Sequence, residues 1–123
     1  MAYFPNYKTP NPFFELNGKT IRNFEVIDIA KDFITNGTEN VSCLGKFIKE
    51  WIDDNDSICI NTSGTTSNPK AIRLPKVSFI NSAIATAAYF DLVAGNSALC
   101  CLPFSFIAAK MMFVRSWVVG LKL

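Results

Sequence analysis

The chain contains no histidine among its 123 residues. That absence excludes Ser-His-Asp and Cys-His catalysis and His-ligated metal sites together. It leaves room for reactions at phosphorus, which depend mainly on positioning and charge neutralisation. Charge is also scarce: 12 basic residues face 10 acidic ones, a formal balance of +2. Such a surplus is too small for a nucleic-acid surface or a polybasic membrane patch. Its charges are interspersed, as on ordinary solvated faces. The four cysteines, Cys43, Cys59, Cys100 and Cys101, form no C-x-x-C pair. Cys59, Cys100 and Cys101 stand in apolar runs, where cysteine behaves as a small hydrophobe. Neighbours on a strand point to opposite faces, so Cys100 and Cys101 do not readily share a disulfide. Reduced, buried thiols of a cytoplasmic protein are the expectation. No basic start leads into an apolar run, so no secretory signal is read. Residues 92–109 form an 18-residue stretch without charge, the lower limit for a membrane span. Gly95, Asn96, Ser97 and Pro103 interrupt it, and a strand bounded by turns is expected there.

Half of the residues are hydrophobic and the mean hydropathy is +0.22, high for a soluble chain of this size. The length allows at most one domain. An apolar surplus of this kind suits a segment whose faces are covered by further structure, and self-association through exposed apolar faces is expected otherwise.

Along the chain, residues 1–22 hold Pro5, Pro10, Pro12 and Asn17-Gly18 and read as an extended arm with turns. Phe24, Ile27, Ala30 and Ile34 recur at helical spacing up to Asn36-Gly37, a helix stop. Val41, Leu44, Phe47, Ile48, Trp51 and Ile52 form the apolar stripe of a second helix that ends at Asp53-Asp54-Asn55-Asp56. Residues 57–61 and 71–74 read as two strands of a hairpin. Pro75 opens a helix over 76–90, with Ile80, Ile84 and Ala87 predicted on its buried face. Residues 98–102 read as a central strand, and 107–119 as a helix charged only at Lys110 and Arg115. The resulting fold class is α/β.

Between the hairpin strands lies the stretch with recognisable chemistry, residues 61–70: Asn-Thr-Ser-Gly-Thr-Thr-Ser-Asn-Pro-Lys. Five hydroxyls, free backbone N–H groups and one ammonium in ten residues suit a polyphosphate. The pattern is not a Walker loop. Counted from Gly64, the second glycine and the magnesium-binding hydroxyl fall on Pro69 and Ala71.

This stretch resembles the Thr-Ser-Gly-Thr-Thr-Gly-x-Pro-Lys signature of the adenylate-forming superfamily, the acyl-CoA synthetases and their relatives. The nine positions are Thr62, Ser63, Gly64, Thr65, Thr66, Ser67, Asn68, Pro69 and Lys70, with Ser67 in place of the second glycine. Further residues resemble the o-succinylbenzoate–CoA ligases of menaquinone biosynthesis. Trp51-Ile52-Asp53-Asp54 precedes the loop, Asn81-Ser82-Ala83-Ile84-Ala85-Thr86 follows it, and Cys101-Leu102-Pro103 leads to Ile107-Ala108-Ala109-Lys110-Met111-Met112.

The resemblance implies the N-terminal part of the large domain of an adenylate-forming enzyme, truncated, with residues 23–123 an incomplete AMP-binding domain. It implies ATP, magnesium and CoA as cofactors and an aromatic carboxylic acid such as o-succinylbenzoate as partner, most of whose binding residues lie outside this chain. Thr62, Ser63, Thr65 and Thr66 would donate hydroxyl or backbone hydrogen bonds to phosphate oxygens, Gly64 would let the backbone approach, and Lys70 would add a point charge; Ser67 completes the cofactor-binding set at the family's glycine position. The family's adenine, ribose and magnesium blocks and its lysine-bearing C-terminal domain are not in this sequence, so no catalytic residue is assigned and no activity is expected of the chain alone. Ala109, like Ser67, replaces a family glycine, and strain is expected if either position needs positive φ. The alternative is a non-catalytic nucleotide- or protein-binding remnant. Phe106, Met111, Met112 and Trp117 read as core.

Overall fold

The computed structural model describes residues 5–22, 25–62, 70–98, 104 and 107–123; at 61, 62, 70 and 71 it describes the backbone alone. Two short strands, β1 (Glu15–Leu16) and β2 (Lys19–Thr20), begin the fold. They are joined by Asn17 (φ 53°) and Gly18 (φ 81°). Two successive positive φ values make the tight hairpin turn that Asn-Gly favours.

Helix α1 (Val26–Asn36) ends at Gly37, whose N–H bonds to the Phe33 carbonyl. Thr38 then caps α2 (Glu39–Ile52), its side chain accepting from the Val41 N–H at 3.4 Å. The two helices pack side by side. Leu44, Phe47, Ile48 and Trp51 of α2 are buried, as their i, i+3, i+4, i+7 spacing predicts. On α1 the buried residues are Val26 and Ala30, while Ile27 is 36% exposed, so the inward face is rotated from the predicted one. The small Ala30 faces Gly45 at the helix contact, a position that a bulky residue would not fill.

Strands β3 (Ser57–Thr62) and β4 (Lys70–Pro75) pair antiparallel, from Ser57 opposite Pro75 to Thr62 opposite Lys70. Pro75 both closes β4 and precedes α3 (Lys76–Phe90), which ends at Asp91 with φ 53°. The buried face of α3 carries Lys76, Phe79, Ile80 and Ala83, while Ile84 is exposed. Of the residues predicted on that face Ile80 is buried and Ala87 half-buried; Ile84 alone is corrected, Phe79 and Ala83 being buried in its place. Helix α4 (Ile107–Val119) packs on α3. After it the chain returns beside Ser97 and Glu15, both bridged in parallel by Lys122. The predicted strand over 98–102 lies, apart from Ala98, outside the described residues. Ala98 donates its N–H to the Lys122 carbonyl at 2.7 Å.

The core is aromatic. Trp51 is ringed by Tyr7, Phe47, Phe79 and Trp117 at 6.1–6.4 Å between centroids. The arm contributes to it: Phe14 is buried against Phe113 and Trp117, and the Trp117 Nε1–H donates to the Asn6 carbonyl at 2.8 Å. Helices, two antiparallel ladders and the parallel bridges give a mixed α and β architecture. Among the described residues no helix is long and apolar enough to cross a membrane.

Cys43 is half-buried and Cys59 exposed, both with free thiols. Burial of Cys59 is therefore corrected. Side chains alternate along a strand, and since Ile58 and Ile60 take the inward face, the residue between them faces out. Cys100 and Cys101 lie outside the described residues.

Candidate functional site

The site suggested by sequence sits at the far end of the β3–β4 hairpin. Ile58 and Ile60 anchor β3 in the core, and Arg73 on β4 reaches across to the Ser57 hydroxyl with Nε at 3.1 Å and Nη2 at 2.8 Å. The other edge of β3 is held by Glu50, whose carboxylate accepts the Cys59 N–H at 2.8 Å. Register is thus fixed from both sides, and it matters here because a one-residue slip would turn Ile58 and Ile60 out to solvent.

Thr62 and Lys70 form the last pair of the ladder. Paired strands lie about 5 Å apart, so the backbone brings these two signature positions together. Ser63, Gly64, Thr65, Thr66 and Ser67 lie outside the described residues, as do Asn68, Pro69 and Phe106. A hairpin end is a suitable mount for phosphate donors, because consecutive backbone N–H groups in a turn no longer have ladder partners.

The hairpin's opposite end is closed by a group that the sequence did not single out. The Lys76 N–H bonds to the Asp56 carbonyl at 2.7 Å, extending the pairing beyond Ser57 and Pro75. The Lys76 side chain is fully buried. Its ammonium donates to Asp53 Oδ1 at 2.8 Å and to the Asp53 carbonyl at 3.1 Å, and it lies 4.2 Å from the Tyr7 ring centroid. Burial pushes the Asp53 carboxyl upward, but hydrogen bonds from Lys76 and Asn55 outweigh it and hold the group below its ordinary value. Beside it Lys8 bonds to Asp54, which lowers the Asp54 carboxyl and raises the Lys8 ammonium.

Elsewhere, a cleft of about 560 Å³ lies between the β1–β2 hairpin and α1. Its floor includes Ile21, Ile29 and Phe33, and Glu25, Asp28 and Asp32 stand around it. Lys19 lines it as well, so its charged lining is three carboxylates and one ammonium. Among the described residues no three His, Cys, Asp or Glu side chains are grouped to hold a metal ion.

Ala109 lies inside α4 and is fully buried. An interior helical position has negative φ, so the strain expected of a Cβ there does not arise. Trp117 is buried, and Met111 and Met112 are half-buried, in keeping with core roles.

No family model matches the chain, and no curated protein matches it. The chain is similar to the crystal structure of an acyl-CoA synthetase (AMP-forming)/AMP-acid ligase II-like protein from Dyadobacter fermentans, with 27% sequence identity and a TM-score of 0.66. The match covers 78% of this chain and 27% of the other, so the chain spans about a quarter of that protein's length. The described architecture is accordingly similar to part of an AMP-acid ligase fold.

Proposed function

We propose that the chain is the phosphate-loop segment of an ATP-dependent acid–CoA ligase, of the o-succinylbenzoate type that its further residues resemble. The observation that carries the reading is the β3–β4 hairpin, whose register sets the backbone of Thr62 opposite that of Lys70, the first and last positions of the signature. The likeness to an AMP-forming acyl-CoA synthetase at 27% identity supports the same reading.

In such a ligase ATP offers an activated phosphorus to the substrate carboxylate, and the CoA thiol then takes the acyl group. This chain's own part is to hold the triphosphate. Hydroxyls of Thr62, Ser63, Thr65, Thr66 and Ser67 donate to phosphate oxygens, Gly64 admits the phosphate close to the backbone, and the Lys70 ammonium offsets its charge. Magnesium is not assigned to any residue here. The alternative is a non-catalytic nucleotide- or protein-binding remnant of such an enzyme.

Val77, Ile84, Tyr89, Phe90 and Val93 are exposed apolar residues on and after α3, which supports association of the isolated chain through exposed apolar surface. The functional test is a titration of the chain with ATP, followed by amide chemical shifts at Thr62 and Lys70. Saturable shifts in the hairpin, weakened by Lys70→Ala, are expected. Shifts absent from the hairpin, or indifferent to Lys70→Ala, would sink the reading. Pyrophosphate release with o-succinylbenzoate is expected only when the segment is joined to a family member's remaining domains.

A further inference from the structure

A lysine at the first position of a helix is ordinarily a solvated residue. Its charge there opposes the helix dipole, whose N-terminal end is positive. Lys76 is the first residue of α3 and is nevertheless fully buried. An ammonium has three N–H donors. Asp53 takes two of them, through Oδ1 at 2.8 Å and its carbonyl at 3.1 Å. The third direction is covered by the Tyr7 ring, 4.2 Å from Nζ. Asp53 is also the residue that ends α2, so the charge unfavourable to α3 lies where the negative end of α2 welcomes it.

These contacts join three parts of the chain at one place. Asp53 begins the 53–56 segment that feeds β3, Lys76 follows directly on β4, and Tyr7 belongs to the N-terminal segment. Tyr7 in turn packs edge-on against Trp51 at 6.4 Å, tying the ammonium to the core. The root of the hairpin is therefore closed twice, by the Lys76 N–H on the Asp56 carbonyl at 2.7 Å and by the side chain on Asp53. A two-stranded ladder has little stability by itself in water, so what fixes its root also fixes the spacing of its tip.

We propose that Lys76 is a positioning residue for the phosphate loop: its buried ammonium, gripped by Asp53 and Tyr7, locks the root of the β3–β4 hairpin and so holds Thr62 and Lys70 in register. The role rests on the ligase reading for its purpose and on the hairpin geometry for its mechanism. Lys76 acts through the ladder and touches no phosphate.

The test separates the two. Amide hydrogen exchange is measured on the intact chain and on Lys76→Met, with Asp53→Asn and Tyr7→Leu as milder variants that each remove one grip. Exchange in 57–62 and 70–75 is expected to quicken by about tenfold while α1 amides keep their rates, the pattern of local rather than global opening. Tripolyphosphate affinity should fall by a similar factor in the same variants. Uniformly faster exchange, or hairpin amides unmoved in all three variants, overturns the proposal; so does local opening with undiminished affinity. A wild-type chain that binds no tripolyphosphate but shows the same local exchange refutes the ligase reading instead and leaves Lys76 a lock on the hairpin alone.

Discussion

Gly45 sits in the middle of α2, where a glycine normally weakens a helix, and replacing it by alanine should on propensity alone stabilise the chain by about 0.5–1 kcal/mol. The packing reverses the sign. A Cβ at Gly45 would lie 2.7 Å from the Ala30 carbonyl oxygen, 2.8 Å from Phe33 Cβ and 3.0 Å from Ile34 Cγ1. Two of these are backbone or backbone-attached atoms that a side-chain rotation cannot clear, so α1 and α2 must move apart. Overpacking of this kind costs about 1–3 kcal/mol. The net expectation for Gly45→Ala is a loss of about 1 kcal/mol, and at most about 2.5 kcal/mol, after the propensity gain is deducted. For a chain of this size that corresponds to a fall in Tm of roughly 4 °C, and at most about 10 °C. Thermal unfolding followed by circular dichroism measures it, with the exposed neighbour Lys46→Ala as control, expected to shift stability by no more than about 0.5 kcal/mol. A Gly45→Ala protein as stable as wild type, or more so, would show that α1 and α2 do not approach as closely as Ala30 and Gly45 place them.

Trp51 is fully buried and its Nε1–H has no partner among the described residues, so Trp51→Phe removes an unsatisfied donor along with volume. Urea unfolding should find Trp51→Phe within about 1.5 kcal/mol of wild type and Trp51→Ala about 3–5 kcal/mol less stable; equal losses would refute the orphaned donor. Asp53 has a carboxyl held below its ordinary value, so its folded form binds a proton less readily than its unfolded form. The stability it contributes is complete above the ordinary carboxylate value of about pH 4 and is lost as the pH falls through its lower folded value. Wild type should therefore lose stability more steeply than Asp53→Asn on acidification, and parallel pH profiles would contradict the pairing. Ala109→Gly should lower stability by about 1 kcal/mol or more, because Ala109 is a buried residue inside α4; a gain would mean that the position prefers the family's glycine after all.

Local signals were legible in the sequence. Gly37 closes α1, the 44, 47, 48, 51 spacing marks the inner face of α2, and the apolar strands on either side of the hydroxyl-rich loop mark the hairpin. What the sequence concealed is set by contacts far apart in the chain. The inner faces of α1 and α3 turn on Ala30 and Ala83, whose small size matters only once a neighbouring element approaches. Cys59 looked like core because its run is apolar, yet only alternate residues of that run face inward. Phe14 in a proline-rich arm becomes core through Phe113 and Trp117, about a hundred residues on. Lys76 is the hardest case. Its partner Asp53 is 23 residues away, and nothing in a lysine after a proline distinguishes a buried lock from a solvated charge.

Holding a polyphosphate and accelerating its reaction make separate demands, and the proposed function asks the first of this chain's residues. A loop that grips ground state and transition state equally raises affinity without raising the rate of the chemical step. Differential stabilisation needs further charges aimed at the reacting phosphorus and the leaving group. What the segment can supply is rigidity: a hairpin pinned at Ile58 and Ile60, edged by Glu50 and locked at its root by Lys76. Rigidity lowers the entropy lost when the loop closes on its ligand, and its effect is read in affinity. Under the proposed function, affinity is therefore the measurement that ranks these residues, with Lys70 expected to act through its charge and Lys76 through the register that it holds.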